Sequence, residues 1–453
     1  MAKKQQKIGL VCVALKGERL GLAQEFHAAA KASLAAAGID IVNADAGYTL
    51  DGAEVLPQAR ACRDGGAVAI IYLVSTWVFA NHVIDAVQEV RLPVGIWGIP
   101  EAVSFSSVGV NVVHGAMEEM DIKHRMFYGG PEDADTIEEI GVFARASGMK
   151  RHLQGARMGL VGGKSISAYP TAADVAQVKA LFGTEIEHID QIELLERARG
   201  IDDARVRSYC DMLEKRFRVE AKEEYLAKAA RTALALEDLQ AAHGFDLLSV
   251  KCLGEFINAY SSCCVAVAML NDKGIVTSCQ GNINATLSMY LLSYLSGDPI
   301  YFGDISVVHI RDRVARLINC GSIPPGLAAS DDKVRLVDQY EYMGEGRGVC
   351  TLFCCKPGGV TFGTLGRRNG SYVMNIATGE AFEREVSELV EVRHWAQGFV
   401  RLDGDPRVFF DNILSNHSVL CYGRYERELL EFCRLAGVTP EPALPVAEGR
   451  NAL

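Results

Sequence analysis

"GAVAIIYLVSTWVFA", residues 66–80, carries no charge from end to end, and its reading decides the kind of fold open to this chain. A helix that crosses a bilayer needs about 20 consecutive apolar residues. This run is shorter, and Ser75–Thr76 interrupt it. It fits a buried strand that gives way to a helix start. Working outward, "KIGLVCVAL" reads as a strand, Gly21–Ala37 as an Ala- and Leu-rich helix, and "IDIVNA" as a second strand. "VAIIYLV" and "LPVGIWGIP" follow as strands with a helix over Asn81–Val90 between them, and a helix around Thr136–His152 closes the unit. Continuously apolar strands separated by helices imply a parallel sheet covered on both faces. Ligands of such sheets sit beyond the carboxyl ends of the strands, which points to Ser75–His82, with Trp77 as a substrate-binding candidate, and to Trp97–Glu101.

Composition narrows the function. The chain has 453 residues, with 57 acids against 46 bases and a formal charge of −11. Binding of nucleic acid needs a basic surface, and no basic block stands outside the Lys3–Lys7 tail. "MAKKQQKIGLVCVAL" has the basic start of a signal peptide. Its apolar run ends at Lys16 without a small-residue cleavage site, so it reads as the first buried strand. A cytoplasmic protein with no membrane and no nucleic-acid partner is expected. The cysteine count, 13, is odd, and such thiols in a reducing compartment are mostly small buried hydrophobes. "CTLFCC" (350–355) alternates as a strand does and lacks a second cysteine pair at zinc-ribbon spacing.

A second α/β unit opens at "GARMGLVGGKSISAYP" (155–170), a strand running into a glycine-rich turn that holds Lys164 and Tyr169. The turn has neither the spacing of a dinucleotide fingerprint nor the Lys–Ser/Thr pair of a phosphate loop. Helices are expected at Ala172–Phe182, Asp203–Phe217 and Lys222–His243, then the strands "FDLLSVKC" and "GIVTSCQ". After about residue 300 the pattern changes to short strands split by turn residues, from "YFGDISVVHI" to "GFVRLDG", which reads as an antiparallel sheet or barrel. Helices at Pro406–Leu414 and Tyr425–Ala436 follow. The expected fold class is therefore α/β, with two doubly wound parallel-sheet domains (1–152 and 153–275), a β-rich C-terminal domain (276–439) and a tail (440–453).

Polar side chains gather at strand ends in the second half: Lys251, Glu255, Gln280, Asn282, Asp304, Asn319 and His417. An acid, a lysine and a histidine converging with amides would suit proton transfer beside a carbonyl. Each also has a plain structural reading, with Glu255 a cap or ion-pair partner and His417 a satisfied core histidine.

The chain resembles the L-fucose/L-arabinose isomerase superfamily, in particular its shorter fucose-isomerase-like branch. The likeness is carried by "GLVGGKSISAYPTAADVAQVKALFGTEIEHIDQIEL", "SVKCLGEF", "LNDKGIVTSCQGNINATLSMYLLSYLSGDPIYFGDI", "RLINCG", "CKPGGVTFGTLGR" and "RLDGDPRVFFDNILSNHSVLCYG", in that order. It implies three domains, a homo-oligomer (often a hexamer), and interconversion of aldoses and ketoses through an enediol, commonly with Mn²⁺ bridging two sugar oxygens. Relatives with an active metal site carry a Glu and an Asp in a stretch of the form CEGDINAALTMY, where this chain has Gln280 and Asn282. His417 matches a C-terminal histidine ligand, Asp304 a recurring acid, and Asn319 the place of a second histidine. Any metal would rest on His417 and Asp304. An amide brings no formal charge to a cation, and close charges in a cleft interact at roughly 4 kcal/mol per pair.

The resemblance thus implies a sugar isomerase with a weakened or absent metal site, suited to an anionic sulfo- or phospho-sugar. Glu255 is the expected base, with Lys251 or His417 polarising the carbonyl. Gln280, Asn282, Asp304, Asn319, Lys164, Tyr169 and Trp77 are expected to bind substrate. Two alternatives stay open: an aldol-type lyase or transferase with Lys251 as Schiff-base lysine, and a sugar-binding relative without catalysis.

Overall fold

The computed structural model describes residues 6–43, 45–165, 167–339, 347–384 and 395–445. The first part of the basic tail, Tyr340 of the strand expected at "KVRLVDQY", and the end of the C-terminal tail lie outside these residues. Two compact units divide the chain, Lys4–Arg151 and His152–Leu453.

In the first unit, strands β1 (Lys7–Val13), β2 (Asp40–Ile41), β3 (Ala69–Val74), β4 (Val94–Gly98) and β5 (His124–Tyr128) form one sheet in the order β2-β1-β3-β4-β5. All neighbours pair in parallel. Every residue of β3 is buried, which is why residues 66–80 lack charge without crossing a membrane. Val11, Val13, Tyr72 and Ile96 pack with Val83, Val87 and Val110 into the core of this unit. The strand expected at "IDIVNA" is short. The Asn43 side chain takes the Leu10 backbone instead, accepting from its N–H at 3.0 Å and donating to its carbonyl at 2.7 Å.

The second unit starts with β6 (Arg157–Val161), β7 (Glu185–Ile189), β8 (Arg218–Val219), β9 (Leu247–Val250) and β10 (Val276–Cys279). A parallel sheet runs β10-β9-β6-β7. It therefore continues past residue 275, since β10 pairs along its whole length with β9. The strands β11 (Tyr301–His309), β12 (Val314–Ile318), β13 (Arg335–Asp338), β14 (Val349–Leu352), β15 (Gly358–Arg368), β16 (Ser371–Ala381), β17 (Gln397–Leu402), β18 (His417–Tyr422) and β19 (Thr439–Ala443) complete it. Six of these close into a barrel, β15-β18-β11-β12-β17-β16, because β15 also pairs with β16. β19 adds to β16 in parallel, so the stretch expected as tail begins with a strand. Pro440 and Pro442 are tolerated there because β19 ends the row. β13 and β14 form a small separate sheet with β8.

The Ile283–Ser296 helix leaves the parallel sheet and packs on the barrel. Its Ser288 Oγ accepts from Leu365 N–H at 2.8 Å. One continuous core runs from Val161, Leu248 and Val250 to Phe353, Phe362 and Leu420, so parallel sheet and barrel share an interior. No helix among the described residues is long and apolar enough to cross a membrane.

Candidate functional site

Three neighbouring strands of the second parallel sheet end side by side, and each hands its chain to a polar segment. β6 leads to Gly162–Lys164, β9 to Lys251 and β10 to Gln280. The carboxyl edge of a parallel sheet is where its ligands bind. The backbone at Gln280 and Gly281 is left-handed, with φ of 63° and 64°. A Cβ on Gly281 would stand 1.9 Å from the Gly163 carbonyl oxygen, so only glycine lets these two loops touch. Gln280 is not a glycine and holds this conformation at a cost of order 1–3 kcal/mol, which is typical of functional sites. Its side chain is 6% exposed, and Oε1 is buried with no hydrogen-bond partner among the described residues. Ser165 Oγ on the adjacent loop is in the same state. Buried acceptors are seldom left unpaired unless something else satisfies them.

The barrel supplies the other half. Asn282 caps the Ile283–Ser296 helix, its Oδ1 accepting from Ala285 N–H at 3.0 Å. Its Nδ2 lies 2.9 Å from His417 Nδ1. Asp304 is the residue opposite His417 in the β11–β18 ladder, with Oδ1 3.9 Å from Nε2. Asn416 bridges them, donating from Nδ2 to Asp304 Oδ1 at 3.0 Å and standing 3.2 Å from His417 Nε2. Burial holds the His417 ring neutral, its pKa lowered to about 3. Burial also pushes the Asp304 carboxyl up to about 6 against the Asn416 hydrogen bond, although 35% of its side-chain surface stays open. A carboxyl that titrates near neutrality beside a neutral imidazole is a pairing suited to general base catalysis. His417 also lines a small cleft with Asn375, Asn412 and Ser415, and Asn375 Oδ1 is another buried acceptor without a partner among the described residues.

Other expected site residues are placed differently. Glu255 is 67% exposed, and Lys251 Nζ donates to it at 3.0 Å as an i,i+4 ion pair. That hydrogen bond holds the Glu255 carboxyl below the ordinary range and makes it a weaker base. The expected base is thus tied to Lys251, while Asp304 stands at the histidine. Asn319 is spent on the turn after β12. Its Oδ1 accepts from Gly321 N–H, Ser322 N–H and Ser322 Oγ, and its Nδ2 donates to Phe302 O at 2.8 Å. This leaves no acceptor for a sugar hydroxyl. Lys164 Nζ sits 4.4 Å from the centre of the Tyr169 ring, both side chains exposed beside the Gly281 contact. Trp77 belongs to the first unit, where it packs edge-on against Phe79. Asn416 had no signal in the sequence beyond its place before His417.

The donors at this site do not fit a hard divalent cation. Mn²⁺ and Mg²⁺ favour carboxylates. Gln280 and Asn282 are neutral amides, and the one carboxylate close to His417, Asp304, is itself pushed toward its neutral form by burial. A separate cavity of about 120 Å³, near Asp272, Gly274 and Gly297, adjoins the opposite end of β10.

Residues 317–440 match the family model for the L-fucose isomerase, C-terminal domain. A sulfoquinovose isomerase of Alkalicoccus urumqiensis is 22% identical over 326 residues, covering 70% of this chain and 72% of that protein. One of Clostridium sp. (strain MSTE9) is 26% identical over 272 residues, covering 58% and 60%. The chain aligns with under two thirds of that second relative. A solute-binding protein of an ABC transporter from Burkholderia multivorans matches at 13% identity and a TM-score of 0.17, over 65% of this chain and 95% of that one, too poor an overlay to bear on the fold. The fucose-isomerase-like resemblance read from the sequence thus agrees with both the family model and the curated relatives.

Proposed function

We propose that this fucose-isomerase-like chain interconverts the aldose and ketose forms of a sulfonated hexose through an enediol, with Asp304 moving the proton. The observation that carries this reading is Asp304, a carboxyl near pKa 6 placed 3.9 Å from the neutral His417 ring. The ionised Asp304 removes the proton from C2 of the open-chain aldose. The C2–H electron pair forms the C1–C2 double bond, the C1=O π pair moves onto O1, and O1 takes a proton from water while His417 hydrogen-bonds it. Asp304 then returns its proton to C1 as the C2 hydroxyl gives its own proton to water and becomes the new carbonyl, which restores the proton drawn from water at O1. Gln280 Oε1 and Asn375 Oδ1 accept hydroxyls of the sugar. Lys164, with no carboxylate partner among the described residues, faces the anionic group.

The substrate class is supported by relatives bearing the name sulfoquinovose isomerase, and by amides where carboxylates would repel an anion. The working form we take to be a homo-oligomer, as the resemblance implies, and its compartment to be the cytoplasm. An aldol-type route through Lys251 would first have to break its ion pair with Glu255.

The test is turnover of sulfoquinovose, a hexose 6-phosphate and L-fucose in deuterium oxide, with and without chelator. Isomerisation of the sulfonated sugar, with solvent deuterium incorporated and no loss on chelation, is the expected outcome. A lysine adduct trapped by borohydride, or no isomerisation of any sugar, would overturn the reading.

A further inference from the structure

We infer that Asn282 fixes the tautomer of His417, so that the ring presents an N–H rather than a lone pair at Nε2. This rests on the isomerase reading only for what that N–H would do. The tautomer itself follows from geometry.

The orientation of an asparagine amide is ordinarily an assignment, because oxygen and nitrogen look alike. Asn282 is an exception. One end of its amide stands 3.0 Å from the Ala285 N–H at the start of the helix. That backbone group only donates, so the end facing it is the oxygen. The other end, 2.9 Å from His417 Nδ1, is then the NH₂. An NH₂ only donates, so Nδ1 accepts and carries no hydrogen. A neutral imidazole has one N–H, and it falls on Nε2.

Asn416 is the competing contact, with Nδ2 drawn 3.2 Å from Nε2. Both ring nitrogens cannot accept in a neutral ring, so one amide gives way. Asn282 is 1% exposed and pinned by the helix cap, whereas Asn416 is exposed and no backbone group holds its amide among the described contacts. The charged group facing Nε2 is Asp304, whose Oδ1 at 3.9 Å welcomes an N–H and not a lone pair.

The consequence is chemical. Imidazole binds a metal through a bare nitrogen and is normally held by an acceptor on its other N–H. A carboxylate at position 282 would be such an acceptor and would leave Nε2 bare. The amide inverts this arrangement. Nε2 becomes a donor aimed past Asp304, fit to stabilise charge on a carbonyl oxygen. One residue that touches no substrate thus turns a ligand into a hydrogen-bond donor, and Asn282 is a positioning residue.

The experiment uses the full chain labelled with ¹⁵N-histidine, with ring tautomers read by two-bond ¹H–¹⁵N correlation. Mn²⁺ binding is followed in parallel by electron paramagnetic resonance, and neither measurement needs a sugar. Wild type should show His417 with its proton on Nε2. Asn282→Asp keeps the cap, should move the proton to Nδ1, and should tighten Mn²⁺ at least about tenfold, both by freeing Nε2 and by adding a carboxylate beside His417. Asn282→Ser also keeps a good cap but removes the NH₂, and should give a mixture of tautomers. Wild type with the proton on Nδ1, or Asn282→Asp with the His417 tautomer unchanged, would overturn the inference. Failure of isomerase activity in wild type with the Nε2 proton in place would instead count against the function and leave the tautomer standing.

Discussion

Asp304 and His417 face each other across the antiparallel pair formed by β11 and β18, one on each strand, with Oδ1 3.9 Å from Nε2. The barrel ladder sets their separation, and no loop has to close to bring them together. Burial acts on both in the same sense, toward neutrality, but with opposite consequences for chemistry. It makes the carboxyl a stronger base and keeps the imidazole uncharged.

The pH dependence of turnover follows from that pair. Asp304 works as a base only when ionised, so kcat/KM should be flat above about pH 6 and fall toward tenfold per unit below it. Asp304→Asn should lower kcat by about 10²–10⁴, the usual share of a general base. Glu255→Gln should cost far less, because its carboxylate is exposed and committed to Lys251. Steady-state kinetics of both variants across pH 5–8 would decide. A larger loss at Glu255 than at Asp304 would return the base role to Glu255.

Charge recognition can be separated from catalysis at Lys164. Under the proposed function its exposed ammonium, which stands over Tyr169, meets the anionic group of the sugar. A charge-assisted hydrogen bond contributes about 1.5–3 kcal/mol. Lys164→Gln should therefore raise KM about 10–100-fold for a sulfonated hexose and leave KM for its neutral counterpart within about twofold. Equal effects on the two sugars would mean that Lys164 shapes the loop and does not read the charge.

Much of the architecture was legible before any coordinates. Unbroken apolar runs such as Ala69–Val74 have few folds available, and the alternation after residue 300 called for an antiparallel sheet or barrel, of which the chain forms the barrel. Asp304, Asn282 and His417 were also visible as polar residues at strand ends. Their mutual arrangement was not, since Asn282 and His417 meet across 135 positions and only a ladder register makes Asp304 the neighbour of His417. Sequence proximity favoured Lys251 and Glu255, which do pair, but with each other. Asn319 looked like a pocket amide and is a turn brace, because its partners are backbone groups no sequence pattern reveals.

The left-handed pair Gln280–Gly281 gives a sharp structural test. In Gly281→Ala the new methyl would lie 1.9 Å from Gly163 O, on backbone at φ 64°. The neighbour is backbone and cannot swing aside, so the two loops must part. Strain of about 1–3 kcal/mol is expected from the dihedral alone, and Gln280 would lose its aim. Urea unfolding should show a lowered midpoint together with at least tenfold lower turnover. A variant with wild-type midpoint and activity would show that the loops do not meet as described.

Acid stability of the first unit should depend on His27. This residue lies on the Leu20–Ala36 helix and is 5% exposed. Burial, helped by the Lys31 charge one turn along, lowers its pKa to about 4. In the unfolded chain the ring titrates near 6.5. Between these values the unfolded state holds more protons, so stability rises with pH there and falls as the solution is acidified from about 6.5 toward 4. At most about 1.4 kcal/mol is lost for each pH unit, and below about 4 the ring contributes no further change. His27→Leu keeps an apolar side chain of similar reach and removes the titration. Its melting temperature should fall less than that of wild type between pH 6.5 and 4.5, while at pH 7.5 the two should differ only by a constant packing offset. Parallel falls across the acid range would mean that the ring stays accessible to protons in the folded unit.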